Sequence, residues 1–204
     1  NIRLKLLDIG KRMLSYKESL KILKETNALL EGHFILSSGL HSNQYIQCAK
    51  LMSHPDKAKV FCASLTEKIM EAFKNIDIIL SPAMGGVIVG YEVGRQLNLE
   101  TIFAERVEKA LEIRRGFKIP KNSNVLIIED VITTGKSALE CSEIIKSNNA
   151  NLIGFGCLID RSNKNILIKD KIISQIKFEI KTFKEIDIPD ELKKIPAEKP
   201  GSRK

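Results

Sequence analysis

No apolar run in the 204 residues reaches the roughly 18 positions that a helix needs to cross a bilayer. Near Asn1–Leu14 the apolar pattern is broken by Arg3, Lys5, Asp8, Lys11 and Arg12, and no small-residue cleavage site follows. Neither a membrane span nor a secretory leader is expected, and the cytoplasm is the expected location. Cys48, Cys62, Cys141 and Cys157 form no C-x-x-C and have no neighbouring histidine pair. Zinc and a disulfide framework are therefore not expected; reduced thiols serving as small apolar side chains are. A Walker A loop, G-x-x-x-x-G-K, is missing, as is any helix-turn-helix or groove-reading signature, although the net charge is +8. That excess lies at the ends. Residues 1–30 carry 7 basic and 3 acidic side chains, residues 164–204 carry 11 and 7, and residues 31–163 hold 15 of each sign. Solvated terminal charge, with no nucleic-acid partner, is the expectation.

What is present fits one domain with a sizeable core: 43% hydrophobic and 28% charged residues are ordinary for a globular chain. Ser15 and Glu18 have capping-box spacing, and Leu20, Leu23 and Leu30 predict a helix ending before Gly32. Residues 33–45 predict short strands or a shaped loop. Pro55, with Phe61, Leu65, Ile69 and Phe73 on one face, predicts a second helix. Strands are then expected over 77–81, 101–105, 124–130 and 152–160, with helices between, and a half-exposed edge strand over 176–183. Strands and helices alternating in this way indicate an α/β fold with a mostly parallel sheet. The tail after Ile186, rich in Pro, Lys and Glu, is expected to wrap the surface.

The most informative stretch is Val125–Ser137, V-L-I-I-E-D-V-I-T-T-G-K-S. A strand buried on both faces ends in two adjacent carboxylates, Glu129 and Asp130, at the edge where open α/β sheets bind ligands. Thr133, Thr134, Gly135, Lys136 and Ser137 then bring two threonine hydroxyls, a permissive glycine and a run of backbone N–H groups into a helix, an arrangement suited to a phosphate dianion. Two acids beside an anion make sense if the ligand also presents hydroxyl donors and a metal, as a ribose phosphate does. A strand–turn–helix junction capped by Asp is the plainer alternative.

Val125–Ser137 resembles the phosphoribosyl-pyrophosphate signature of type I phosphoribosyltransferases. Three further segments resemble the orotate enzymes of that family: Phe34–Ser42 (F-I-L-S-S-G-L-H-S) their substrate loop, Ser81–Gly86 (S-P-A-M-G-G) their pyrophosphate loop, and Phe103–Lys109 with Arg114–Phe117 (R-R-G-F) their mobile catalytic loop. Lys199–Arg203 recurs in a bacterial branch. The resemblance spans about 15–203 and implies a type I phosphoribosyltransferase fold with helices flanking the sheet. It also implies a small hood, formed by about 1–52 with the C-terminal segment, over a core of about 53–165 in a single domain, 1–204.

It implies a site as well. Glu129, Asp130 and Lys109 would be catalytic. Phosphoribosyl pyrophosphate would meet Met84, Gly85, Arg106, Lys109, Glu129, Asp130, Val131, Ile132, Thr133, Thr134, Gly135, Lys136 and Ser137. Orotate would meet Ser38, Gly39, Thr133 and Arg161, whose guanidinium suits the orotate carboxylate. Mg2+ is the implied cofactor, held by substrate and water, with no protein metal ligand assigned. Two substrates and a homodimer are the implied partners.

Each segment also has a plainer reading. Gly85 and Gly86 suit a simple turn, the six cations of 105–121 a solvated loop, and Arg161 a surface pair with Asp160. His41 could contact substrate or merely be polar. Compared with the best-known family pattern, F-N-R-K-E-A-K-D-H, Glu105 stands for the first Arg and Leu111 for the final His. Ser37 stands for the lysine of the substrate loop. A phosphoribosyltransferase for another base, such as a purine, shares the phosphate turn. A regulator that senses phosphoribosyl pyrophosphate and binds nucleic acid would need a basic face that the balanced central block lacks.

Overall fold

The computed structural model describes residues 13–36 and 38–200. Ser37, the N-terminal charges up to Arg12 and the end of the Lys199–Arg203 motif lie outside the described residues.

Two sheets organise the chain. The smaller contains β1 (Leu29–Ile35), β2 (His41–Ile46), β9 (Thr182–Phe183) and β10 (Ala197–Glu198), in the order β10-β1-β2-β9. The C-terminal tail thus does more than lie on the surface: β10 adds to β1 in parallel, and β9 adds antiparallel to β2. The larger contains β3 (Ile78–Pro82), β4 (Glu100–Val107), β5 (Ala110–Ile113), β6 (Asn124–Ile132), β7 (Asn151–Asp160) and β8 (Ile172–Lys177), in the order β5-β4-β3-β6-β7-β8. All its neighbours are parallel except the β4–β5 hairpin.

Helices α1 (Tyr16–Glu25), α2 (Cys48–Met52), α3 (Pro55–Ala72), α4 (Gly85–Leu97), α5 (Lys136–Ser147) and α6 (Asp190–Lys193) complete the fold. Strand β6 shows why the large sheet is covered on both faces. Leu126 and Ile128 pack with Phe61, Leu65 and Ile69 of α3 and Val89 and Val93 of α4. Val125 and Ile127 pack with Ala138, Cys141 and Ile145 of α5. An unbroken apolar strand is what this two-sided burial requires.

Three sequence expectations need correction, and one short helix, α2, is additional. The first helix starts at the expected Ser15–Glu18 capping box but stops at Glu25, because Asn27 takes a left-handed φ of 53° and Leu29 and Leu30 enter β1 instead. The edge strand begins at Ile172, where it pairs with Phe155 of β7, so the large sheet runs past 165 to Lys177. The segment 105–121 is no open loop: β5 folds back on β4, and Leu111 is buried against α5. Leu111, at the position where the family pattern has histidine, is thus part of the core.

Candidate active site

Strand order locates the site. From β3 the chain passes through α4 to β4 on one side; from β6 it passes through α5 to β7 on the other. The order therefore reverses between neighbouring strands β3 and β6, and their carboxyl ends open a crevice of the kind α/β sheets use for ligands. Two helices begin there. Neither Met84, which precedes α4, nor Gly135, which precedes α5, supplies a side-chain cap. Both helices leave N-terminal amides and their partial positive charge directed at the crevice, which suits two separate anionic groups.

The turn after β6 forms a cradle of about 110 Å³ lined by Glu129 and 131–137. Gly135 has φ 79°, and a Cβ there would stand 2.6 Å from Ile168, so only glycine makes this turn without displacing the loop beneath. That loop is tied on by the Leu167 amide, which donates to the Thr134 carbonyl over 3.0 Å. Across the crevice, Gly85 lies so close to Asp130 that a Cβ would fall 2.7 Å from the carboxyl carbon. The plain-turn alternative does not account for this contact. The structure joins the β3 and β6 loops where the sequence could only suggest it.

Glu129 and Asp130 are half-buried. Burial pushes the Glu129 carboxyl up to about 9, with the neighbouring Asp130 charge and a hydrogen bond to it adding to the effect. Burial raises Asp130 too, partly offset by the Val131 amide, which donates to Oδ1 over 2.8 Å. Neither acid forms an ion pair among the described residues. Such a pair suits ribose hydroxyls and a divalent ion that brings most of its own oxygen ligands. No group of three or more His, Cys, Asp or Glu forms a metal cage among the described residues.

Arg161 follows β7, and its amide donates to the Ile132 carbonyl over 2.8 Å. Its Nε is buried without a hydrogen-bond partner, and burial lowers its pKa. The surface-pair alternative fails: Asp160 is buried and pairs with Lys177 at 3.1 Å. Tyr45, whose ring stands 5.8 Å from that of Phe34, was missed in the sequence. Its signal was an aromatic among the polar residues His41–Gln44 of β2. Ser38 and Gly39 occupy the exposed tip of the β1–β2 hairpin, with Gly39 at φ 79°, and no hydrogen bond joins them to Arg161 among the described residues. His41 pairs with His33, Nδ1 to Nε2 at 2.7 Å.

The β4–β5 hairpin places its cations unequally. Arg115 pairs with Glu105 at 2.9 Å and lies 5.6 Å from the Phe103 ring centre. Arg106 pairs with Glu140 at 2.9 Å and donates to the Lys109 carbonyl over 2.8 Å. Lys109 itself is exposed at the hairpin turn. A larger groove between α3 and β8 lacks this chemistry, because the Lys68 ammonium donates to the carbonyls of Ser174 and Gln175.

Residues 53–189 match the family model described as phosphoribosyl transferase domain. The chain is 43% identical over 184 residues to an orotate phosphoribosyltransferase of Chlorobium phaeobacteroides, covering 90% of this chain and 94% of that one. The orotate phosphoribosyltransferase structure from Aeropyrum pernix aligns with TM-score 0.67 at 22% identity, covering 78% of this chain and 92% of that one. An adenine phosphoribosyltransferase structure from Thermoanaerobacter pseudethanolicus aligns with TM-score 0.58 at 17% identity, covering 66% and 88%. The fold is thus shared between enzymes for different bases, and it is the sequence similarity that separates them. The chain belongs to the orotate phosphoribosyltransferase family.

Proposed function

We propose that this chain transfers ribose-5-phosphate from phosphoribosyl pyrophosphate to N1 of orotate, giving orotidine 5-monophosphate and pyrophosphate, a step of pyrimidine (UMP) biosynthesis. The observation that carries the reading is convergence at one crevice: two helix N-termini without side-chain caps, two adjacent acids and a guanidinium with a buried, unpartnered N–H.

The roles follow from chemistry. The 5-phosphate sits on the amides and hydroxyls of Thr133–Ser137, and the pyrophosphate on Met84 and Gly85. Glu129 and Asp130 face the ribose hydroxyls and the cationic anomeric carbon, with the Val131 and Ile132 backbone behind them. As the bond to pyrophosphate breaks, negative charge grows on the leaving group, so preorganised positive charge is worth more than a protein nucleophile. Lys109 brings such a charge when the hairpin closes. Glu129 and Asp130 are the residues beside which Mg2+, bound together with the substrate, would supply further positive charge to the leaving group. Orotate lies between the two sheets with its carboxylate on Arg161, near Thr133 and the Ser38–Gly39 tip, and the four-stranded sheet serves as a hood within one domain.

The reading includes a homodimer. Met84, Ile88 and Tyr91 are 84%, 55% and 63% exposed at positions that share one side of α4. An apolar stripe of this kind suits a second copy. No helix among the described residues is long and apolar enough to cross a membrane, and a cytoplasmic location fits soluble substrates.

The test is pyrophosphate release from phosphoribosyl pyrophosphate and Mg2+ with orotate, uracil, adenine and hypoxanthine. Release with orotate alone is expected. Release with a purine, or with none of the four, overturns the reading.

A further inference from the structure

Glu140 lies on α5, the helix that begins at the phosphate turn, one turn beyond Lys136. Both of its carboxylate oxygens are shut off from solvent, and no aligned hydrogen-bond donor meets either among the described residues. The charge that faces them is Arg106, with Nη2 2.9 Å from Oε2. The other arm of the same guanidinium, Nη1, donates to the Lys109 carbonyl over 2.8 Å. Arg106 thus spans the helix and the hairpin turn, and both of its arms are engaged. Beneath it, Leu111 packs with Ala138 and Cys141, so the hairpin already rests on α5 through an apolar contact.

A planar guanidinium holds two acceptors in a fixed relation, which a flexible ammonium does not. A carboxylate closed off from water holds its cation strongly, because releasing it would leave a buried charge unpaired. We infer that Glu140 is a positioning residue: through Arg106 it sets where the β4–β5 turn carries Lys109 relative to the phosphate turn. On this inference Arg106, expected from the family resemblance to meet phosphoribosyl pyrophosphate, serves the reaction instead as a brace between α5 and the hairpin, while Lys109 meets the leaving group. This rests on the phosphoribosyl-transfer reading above.

The test compares wild type, Glu140→Gln, Arg106→Ala and the double variant, using kcat, KM for each substrate and thermal midpoint. Glu140→Gln is expected to lower kcat about tenfold while moving KM for orotate less than about twofold. In the Arg106→Ala background the same change is expected to cost less than about twofold, because the brace is already gone. Glu140→Gln is expected to lower the thermal midpoint in wild type and to change it less beside Arg106→Ala, where the pair is already broken. Wild-type kcat in Glu140→Gln overturns the inference, and so does a full tenfold loss repeated without Arg106. Arg106→Ala raising KM for phosphoribosyl pyrophosphate equally with and without Glu140 overturns it also, since that marks direct contact. Arg106→Lys, a change on a half-exposed side chain, gives a measurement that needs no substrate: amide exchange over 107–111 should quicken, and unchanged exchange counts against the brace. A wild-type chain that turns over no orotate would sink the function reading, while the exchange result would still decide the brace.

Discussion

The amide of Arg161 donates to the carbonyl of Ile132 over 2.8 Å, so the cation expected to hold the base is fixed by its own backbone to the strand that ends in the phosphate turn. The two substrate sites therefore share one rigid edge, and Arg161 can be altered beyond Cβ without moving the cradle. Arg161→Ala is expected to weaken orotate binding by about 2 kcal/mol or more and leave phosphoribosyl pyrophosphate binding nearly unchanged. Arg161→Lys should recover only part of the loss, lacking the two-pronged contact. Calorimetric Kd values for both ligands decide the matter, and equal weakening of both would remove Arg161 from the base site.

Gly85 offers a steric test. Its Cα faces the Asp130 carboxylate so closely that any side chain must push that group aside. Gly85→Ala should cut kcat/KM at least about tenfold, near 1.4 kcal/mol of transition-state stabilisation. A variant with full activity would mean that Asp130 tolerates displacement and does not act from this position.

Glu129 makes stability depend on pH. Its carboxyl is raised from 4.5 to about 9 by burial and by Asp130, so the folded chain holds the proton more tightly than the unfolded chain. The contribution is full below about pH 4.5 and is lost as pH rises through about 9. Glu129→Gln removes the titration. Between about pH 5 and about pH 9 the wild type should lose about 1 kcal/mol or more of stability relative to that variant. Urea unfolding of both proteins across this range checks it; parallel pH curves would show that Glu129 keeps an ordinary carboxylate.

Lys109 stands exposed at the hairpin turn, so its removal should cost the folded state little. If it acts on the leaving group only when the hairpin closes, Lys109→Ala lowers kcat about tenfold or more and raises substrate KM much less. Cleavage by protease within 107–116 should slow when both substrates or unreactive analogues are bound. Wild-type kcat together with cleavage indifferent to ligand would make the hairpin a structural element alone.

Much of this was legible before the structure because local chemistry agreed with the fold. The unbroken apolar run of β6 announced burial on both faces, and the acids and Thr-Thr-Gly that follow it announced a ligand edge. What stayed hidden depended on contacts distant in sequence. Nothing near Gly85 reveals that Asp130, forty-five positions on, fills the space of its missing side chain. Nothing near Glu105 says that 105–121 folds back on α5, since the cations alone suit a solvated loop. Tyr45 stands against Phe34 of the neighbouring strand, a pairing that the sequence spacing does not show. The ends of α1 and β8 were misjudged where leucines and isoleucines fit either period and a left-handed Asn27 or the pairing with β7 decided the outcome.

The central claim is that ribose transfer to orotate takes place at the acid pair ending β6. The direct measurement is kcat/KM for orotate-dependent pyrophosphate release in wild type and in Asp130→Asn, which preserves size and removes the charge facing the ribose. The account predicts turnover by the wild type and a loss of at least about tenfold in the folded variant. Equal kcat/KM in the two proteins would contradict it.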